Sequence, residues 1–108
     1  MVLFTEEIIQ QLTAQYELGG CLEKQQIVCK IYNPYGVGTW YCINMDPSNH
    51  DYIWCIADIY EPEVGSVLRS ELEGILVPPF RMPLERDIHF QPIIAREAYE
   101  KLLAGEHL

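Results

Sequence analysis

Seven carboxylates lie between positions 46 and 73: Asp46, Asp51, Asp58, Glu61, Glu63, Glu71 and Glu73, against the single cation Arg69. Seven anions and one cation make −6 of the chain's formal −9 in that stretch. Neighbouring carboxylates such as Glu61 with Glu63, or Glu71 with Glu73, are the residue types used for general acid–base work, yet no adjoining feature singles one out for a shifted pKa. Asp46, His50 and Asp51 surround one turn, and Glu85, Asp87 and His89 follow later. Both sets hold donors suited to zinc or a similar cation. Neither has the alternating oxygen ligands and central glycine of an EF-hand. What remains is the field itself, which attracts cationic partners and repels nucleic acid and anionic membrane. The expectation is no metal site and no cofactor.

Nucleophilic catalysis finds little support. Cys29, Cys42 and Cys55 each fall inside an apolar, strand-like run, and Cys21 alone lies in a connection. No C-x-x-C pair marks a zinc site. Buried thiols in an acidic protein behave as small hydrophobes, since a reactive thiolate needs an electropositive setting. No G-x-S-x-G or P-loop occurs. Direct nucleic-acid binding is disfavoured by seven Lys and Arg against sixteen Asp and Glu. The aromatics Tyr32, Tyr35, Trp40, Tyr41, Tyr52, Trp54 and Tyr60 resemble a stacking platform in type, but only Lys30 lies among them. An acidic face beside tyrosine and tryptophan suits a protein interface with a basic partner.

These side chains need a scaffold, and 108 residues suffice for one domain, 1–108. A hydrophobic fraction of 49% with 21% charged residues is that of a globular chain with a core. The apolar runs, of which Tyr52–Ala57 is typical, fall far short of the roughly 20 residues that span a bilayer. No signal-peptide pattern opens the chain, so a cytoplasmic protein without membrane contact is expected.

Residues 4–17 read as an amphipathic helix, with Thr5 as cap, Glu6 and Glu7 in the first turn, and Phe4, Ile8, Ile9, Leu12 and Tyr16 as its apolar stripe. Gly19-Gly20 stops it. Ile27–Tyr32, Thr39–Met45 and Tyr52–Tyr60 alternate as strands. The pattern puts Ile27, Cys29 and Ile31 on one face, and Ile53, Cys55, Ala57 and Ile59 on one face. Short turns at 33–38 and 46–49 make the three an antiparallel meander. A short strand follows at Gly65–Leu68, then a short helix at Ser70–Glu73 ended by Gly74. Val77–Pro83 holds three prolines and is expected to be irregular. Asp87–Gln91 reads as a last strand and Ile94–Leu103 as a second helix. The fold class is α+β: an antiparallel sheet of about four to five strands with the N-terminal and C-terminal helices packed on one face of it. An unpaired edge beside Tyr52–Tyr60 would permit a homodimer.

Several segments in order carry a resemblance: Asn33-Pro34-Tyr35-Gly36-Val37-Gly38-Thr39-Trp40, Asp46-Pro47, Ala57-Asp58, Pro62-Glu63-Val64-Gly65, Ser70-Glu71-Leu72-Glu73, and Leu84-Glu85-Arg86-Asp87 with Phe90 and Pro92. The chain resembles, from its first helix through Pro92, a family of short acidic bacterial proteins of unknown function encoded on plasmids and integrative conjugative elements. Two segments depart from that pattern: Met45–Asp51 is short and contains His50, and Val77–Pro83 is richer in proline. The resemblance implies no catalytic residues. It implies a mobile-element context, in which small acidic proteins protect the element from host defences.

The resulting expectation is a non-enzymatic inhibitor of a host defence complex, of anti-CRISPR or anti-restriction type. Its partner would be a basic protein or nucleoprotein complex, a CRISPR effector or a restriction enzyme. Asp46, Asp51, Asp58, Glu61, Glu63, Glu71 and Glu73 would meet its cations, with Tyr35, Trp40 and Tyr60 as aromatic anchors. The alternatives are a small metal-dependent hydrolase using Glu85, Asp87 and His89, and an accessory protein of conjugation or plasmid maintenance.

Overall fold

The computed structural model describes all 108 residues. The first helix, α1 (Glu6–Ala14), is capped by Thr5, whose Oγ1 accepts from Ile8 N at 3.2 Å. The α-helix is shorter than the expected 4–17, and Tyr16–Leu18 continues as a 3-10 turn. Gln15 lies at the break. Its amide donates to Gln26 O and Ile43 O at 3.0 and 2.7 Å, and its Oε1 accepts from Gln26 N at 2.8 Å. The side chain thus bonds strand backbone at the point where the helix ends.

Nine strands and two further helices follow. They are β1 (Gln26–Ile27), β2 (Cys29–Tyr32), β3 (Thr39–Asp46), β4 (Asn49–Asp58), β5 (Pro62–Leu68) and α2 (Arg69–Gly74). Then come β6 (Leu76–Val77), β7 (Met82–Pro83), β8 (Glu85–Arg86), β9 (Ile93–Ile94) and α3 (Ala95–Leu103). The main sheet has five strands in the order β5-β4-β3-β2-β8, all antiparallel. The α+β class and the three-strand meander of the sequence analysis are present.

The two terminal helices lie on opposite faces of the sheet, not on one. Leu3, Phe4, Ile9 and Leu12 pack with Cys29, Ile31, Cys42, Met45, Ile53 and Cys55 on the first face. Ala95, Ala98 and Leu102 pack with Ile27, Tyr41, Ile43 and Ile56 on the second. The strands have apolar residues at both parities, so each face requires its own cover. The expected strand Ile27–Tyr32 is interrupted at Val28. β1 leaves the main sheet to pair with β9, and Ile27 therefore joins the second core while Cys29 and Ile31 join the first.

Other boundaries move for local reasons. β4 begins at Asn49, three residues early, because Asp46 Oδ1 accepts from Ser48 N at 2.8 Å and closes a tight hairpin. It ends at Asp58, leaving Ile59 exposed instead of in the core. Two residues of β3, Ile43 and Asn44, face the single Trp54 of β4, a bulge that returns Met45 to the first face opposite Ile53. β5 is longer than expected and covers the edge of β4, so the free edge on that side of the sheet is Pro62–Leu68, with β8 at the other edge. Pro62 and Glu63 on that edge oppose strand addition. Leu76–Val77 and Met82–Pro83 form a small ladder around the proline-rich loop, where irregular structure was expected. Asp87–Gln91 is no strand: Asp87 Oδ1 accepts from His89 N at 2.9 Å and turns the chain, and Glu85–Arg86 pairs with β2 instead.

Asp51 fastens α2 to the sheet. Its two oxygens accept from Ser70 N at 2.7 Å and Ser70 Oγ at 3.1 Å. Asp51→Ala is expected to cost about 1 kcal/mol, as loss of a helix-start acceptor does, read as a shifted urea midpoint at unchanged slope.

Candidate functional site

The seven carboxylates do not form one face. β4 has Asp51 near its start and Asp58 at its end, about 23 Å apart at the rise of an extended strand. Asp46, Asp51, Glu71 and Glu73 gather at the end of the sheet that bears the β3–β4 hairpin. Asp58, Glu61 and Glu63 lie at the other end, where β2 turns into β3 and β4 into β5. That separation exceeds the screening length of about 8–10 Å in physiological salt, so the two groups act as separate fields.

The hairpin-end group is largely engaged. Asp46 and Asp51 accept the bonds described above, and Arg69 Nε lies 3.3 Å from Glu73 Oε2. Arg69 also sits over the Phe4 ring, 5.6 Å from its centroid. Glu71 is exposed and unpaired. At the opposite end Asp58, Glu61 and Glu63 carry no ion pair. Their charge is available to a partner.

Exposed apolar side chains cluster at the same end. Tyr60 is 94% exposed, Phe80 71% and Tyr35 49%, with Val37 and Ile59 beside them in the sequence loops. Tyr35 and Phe80 meet edge to face with centroids 6.1 Å apart. Asn33 holds the Tyr35 loop, its Oδ1 accepting from Tyr35 N at 2.9 Å and its Nδ2 donating to Val37 O at 3.2 Å. A shallow hollow of about 380 Å³ is lined by Ala57, Ile59, Tyr60, Glu61 and Glu63. Trp40, expected as an anchor, instead packs half-buried against the first core. Gly38 (φ 129°) lies beneath it, and a side chain there would come within 3.0 Å of the indole. Phe80 and Ile59 were not anticipated. Phe80 sits in the proline-rich segment, where the only signal was a large aromatic without a strand to bury it.

Glu85, Asp87 and His89 do not converge. Glu85 Oε1 accepts from Tyr32 OH at 3.3 Å, and Asp87 lies 3.9 Å from Lys30 Nζ and is tied to His89 through its backbone N. No three His, Cys, Asp or Glu side chains gather anywhere in a metal-binding group. Lys30 itself stands 6.0 Å from the centroids of both Tyr32 and Tyr41 and donates to the Leu108 backbone oxygen. Burial raises the Tyr32 hydroxyl pKa, helped by Glu85. Burial, with the Asp58 charge second, pushes Tyr41 up to about 12.

The register sets Cys29 opposite Cys42 and Cys42 opposite Cys55, a row of three free thiols across the first core. A hydrogen bond with Cys29 and then burial hold the Cys42 thiol well above its ordinary pKa. Burial pushes Cys55 up to about 12. Cys42 and Cys55 are protonated at neutral pH and serve as packing groups.

Fold and surface together define an α+β domain with helices on both faces of an antiparallel sheet and an acidic, aromatic end. The sequence profile of a protein family of unknown function, DUF2958, matches residues 3–104, and the chain belongs to that family. No curated protein and no solved structure matches the chain. No helix is long and apolar enough to cross a membrane.

Proposed function

We propose that the chain is a non-enzymatic protein-binding domain that docks a basic partner on the sheet end formed by Tyr35, Tyr60, Phe80, Asp58, Glu61 and Glu63. The observation that carries this reading is the coincidence of three unpaired carboxylates with three exposed aromatic rings. Aromatic anchors supply most of the energy of an interface, and surrounding charge supplies rate and selectivity. The resemblance to proteins of plasmids and integrative conjugative elements supports a finer reading. The partner is then a host defence complex whose nucleic-acid surface is basic, a CRISPR effector or restriction enzyme, and the chain is its inhibitor in the cytoplasm. Partners in conjugation or plasmid maintenance would meet the same surface.

The test adds the purified chain to DNA-cleavage reactions of a CRISPR effector and of a restriction enzyme at two salt concentrations. Stoichiometric inhibition that weakens at high salt is expected. The triple reversal Asp58→Lys, Glu61→Lys, Glu63→Lys should weaken it by at least about tenfold, while Glu71→Lys leaves it intact. Equal inhibition by the triple variant and the native chain would sink the proposal.

A further inference from the structure

The largest surface hollow, an open one, lies at the other end of the sheet, away from the proposed docking surface. It has a volume of about 500 Å³, within the range of small-molecule sites. Tyr16, Tyr52 and Trp54 line it together with Glu17, Asp46 and Asn44. No Lys, Arg or His is among its lining residues, so its two carboxylates give it a formal charge of −2. Tyr52 and Trp54 are two apart on β4 and thus project to the same side of the sheet.

The wall is held by the polar contacts of two buried side chains. Gln25 Nε2 donates to Gly19 O at 2.8 Å and Cys21 O at 3.0 Å. Asn44 Nδ2 donates to Gln25 Oε1 at 2.7 Å and to Gly19 O at 3.1 Å. Gln25 and Asn44 are both buried, and Gly19 adopts φ 56°. The loop that carries Tyr16 and Glu17 is thereby fixed against the β3 bulge. Asp46 is positioned from the other side by Ser48 N at Oδ1, with Tyr16 OH 3.5 Å from Oδ2.

We propose that this cavity binds a methylated ammonium group. Aromatic rings attract a cation through their faces, and a methylated ammonium sheds water more readily than a primary amine does. The carboxylates Glu17 and Asp46 complement its charge at longer range. An anion or phosphate would meet the −2 field without one compensating cation. A neutral apolar ligand would leave that charge unanswered. The group belongs either to a free small molecule such as choline or to a trimethylated lysine side chain.

The test is isothermal titration of the purified chain with choline, with a short peptide bearing trimethyl-lysine, and with 3,3-dimethylbutan-1-ol, the neutral isostere of choline. Saturable choline binding is expected, with the isostere at least about tenfold weaker. Tyr52→Ala and Asp46→Asn should each weaken binding about tenfold, and Glu100→Gln on α3 should not. Tyr52 is half exposed, and asparagine retains the oxygen that accepts from Ser48, so both variants keep the fold. Tighter binding of the peptide than of choline assigns the group to a protein side chain, and equal binding assigns it to a free cation. Equal affinity for choline and its isostere, or no heat with either cation, overturns the proposal without involving any protein partner.

Discussion

Gln25→Ala is expected to destabilise the domain by about 3 kcal/mol, since three hydrogen bonds of a buried side chain vanish together at about 1 kcal/mol each. The bonds are those to Gly19 O, Cys21 O and Asn44 Nδ2. The loss falls hardest on Asn44 Nδ2, which is buried, whereas Gly19 O and Cys21 O lie in a more exposed loop. Urea denaturation reads the change as a lower midpoint with an unchanged slope. Gln25→Glu adds a pH signature. Burial raises the pKa of the new carboxyl above its unfolded value. The protonated acid, which can still donate, is tolerated below the unfolded pKa, and stability is lost as pH rises through the folded pKa. The difference from the native chain should therefore widen from pH 4 to pH 7. A constant difference would show that Gln25 does not act through its donated bonds.

Leu12→Ala and Ile56→Ala probe the two cores separately, and each is expected to cost about 3 kcal/mol. Both side chains are fully buried. Leu12 packs with the cysteine-bearing face and Ile56 with α3 on the other. The sheet stands between them, so their costs should add to within about 0.5 kcal/mol. A sum of about 6 kcal/mol approaches the whole stability of an ordinary small domain, and the double variant is expected to be largely unfolded at 37 °C. Strong non-additivity would mean that the two clusters relax as one.

The elements of this protein are local in origin, and most were legible. Thr5 with Glu6 and Glu7 signals a helix start whatever lies around it, and the alternation in Thr39–Met45 and Tyr52–Asp58 signals strands. The misplacements came from side chains that bond distant or local backbone instead of continuing a pattern. Gln15 bonds Ile43 and Gln26 where α1 ends, and Asp87 bonds His89 and prevents a strand. The β6–β7 ladder was hidden by prolines, because Pro83 can sit in a two-stranded edge that needs few donors.

The candidate site was legible only as composition. The count of carboxylates and tyrosines between positions 33 and 73 follows from the chain alone, as does the excess of sixteen acidic over seven basic residues. Which of them share a surface depends on strand length and pairing. Ten residues of β4 place Asp51 and Asp58 at opposite ends, and the cap on Ser70 and the contact with Arg69 engage Asp51 and Glu73 within the fold.

The amino-acid order alone carried the α+β class, the acidic balance, the burial of Cys29, Cys42 and Cys55, and membership of a family of unknown function. These rest on periodicity, charge and residue type, which are properties of short stretches. The folding of the chain in three dimensions put the helices on opposite faces and divided the acidic run in two. It also gathered Phe80 with Tyr35 and Tyr60 at one end, and Tyr16, Tyr52 and Trp54 around a cavity at the other. Such groupings depend on strand register and on contacts between residues dozens of positions apart, and a pattern of a few residues does not encode them.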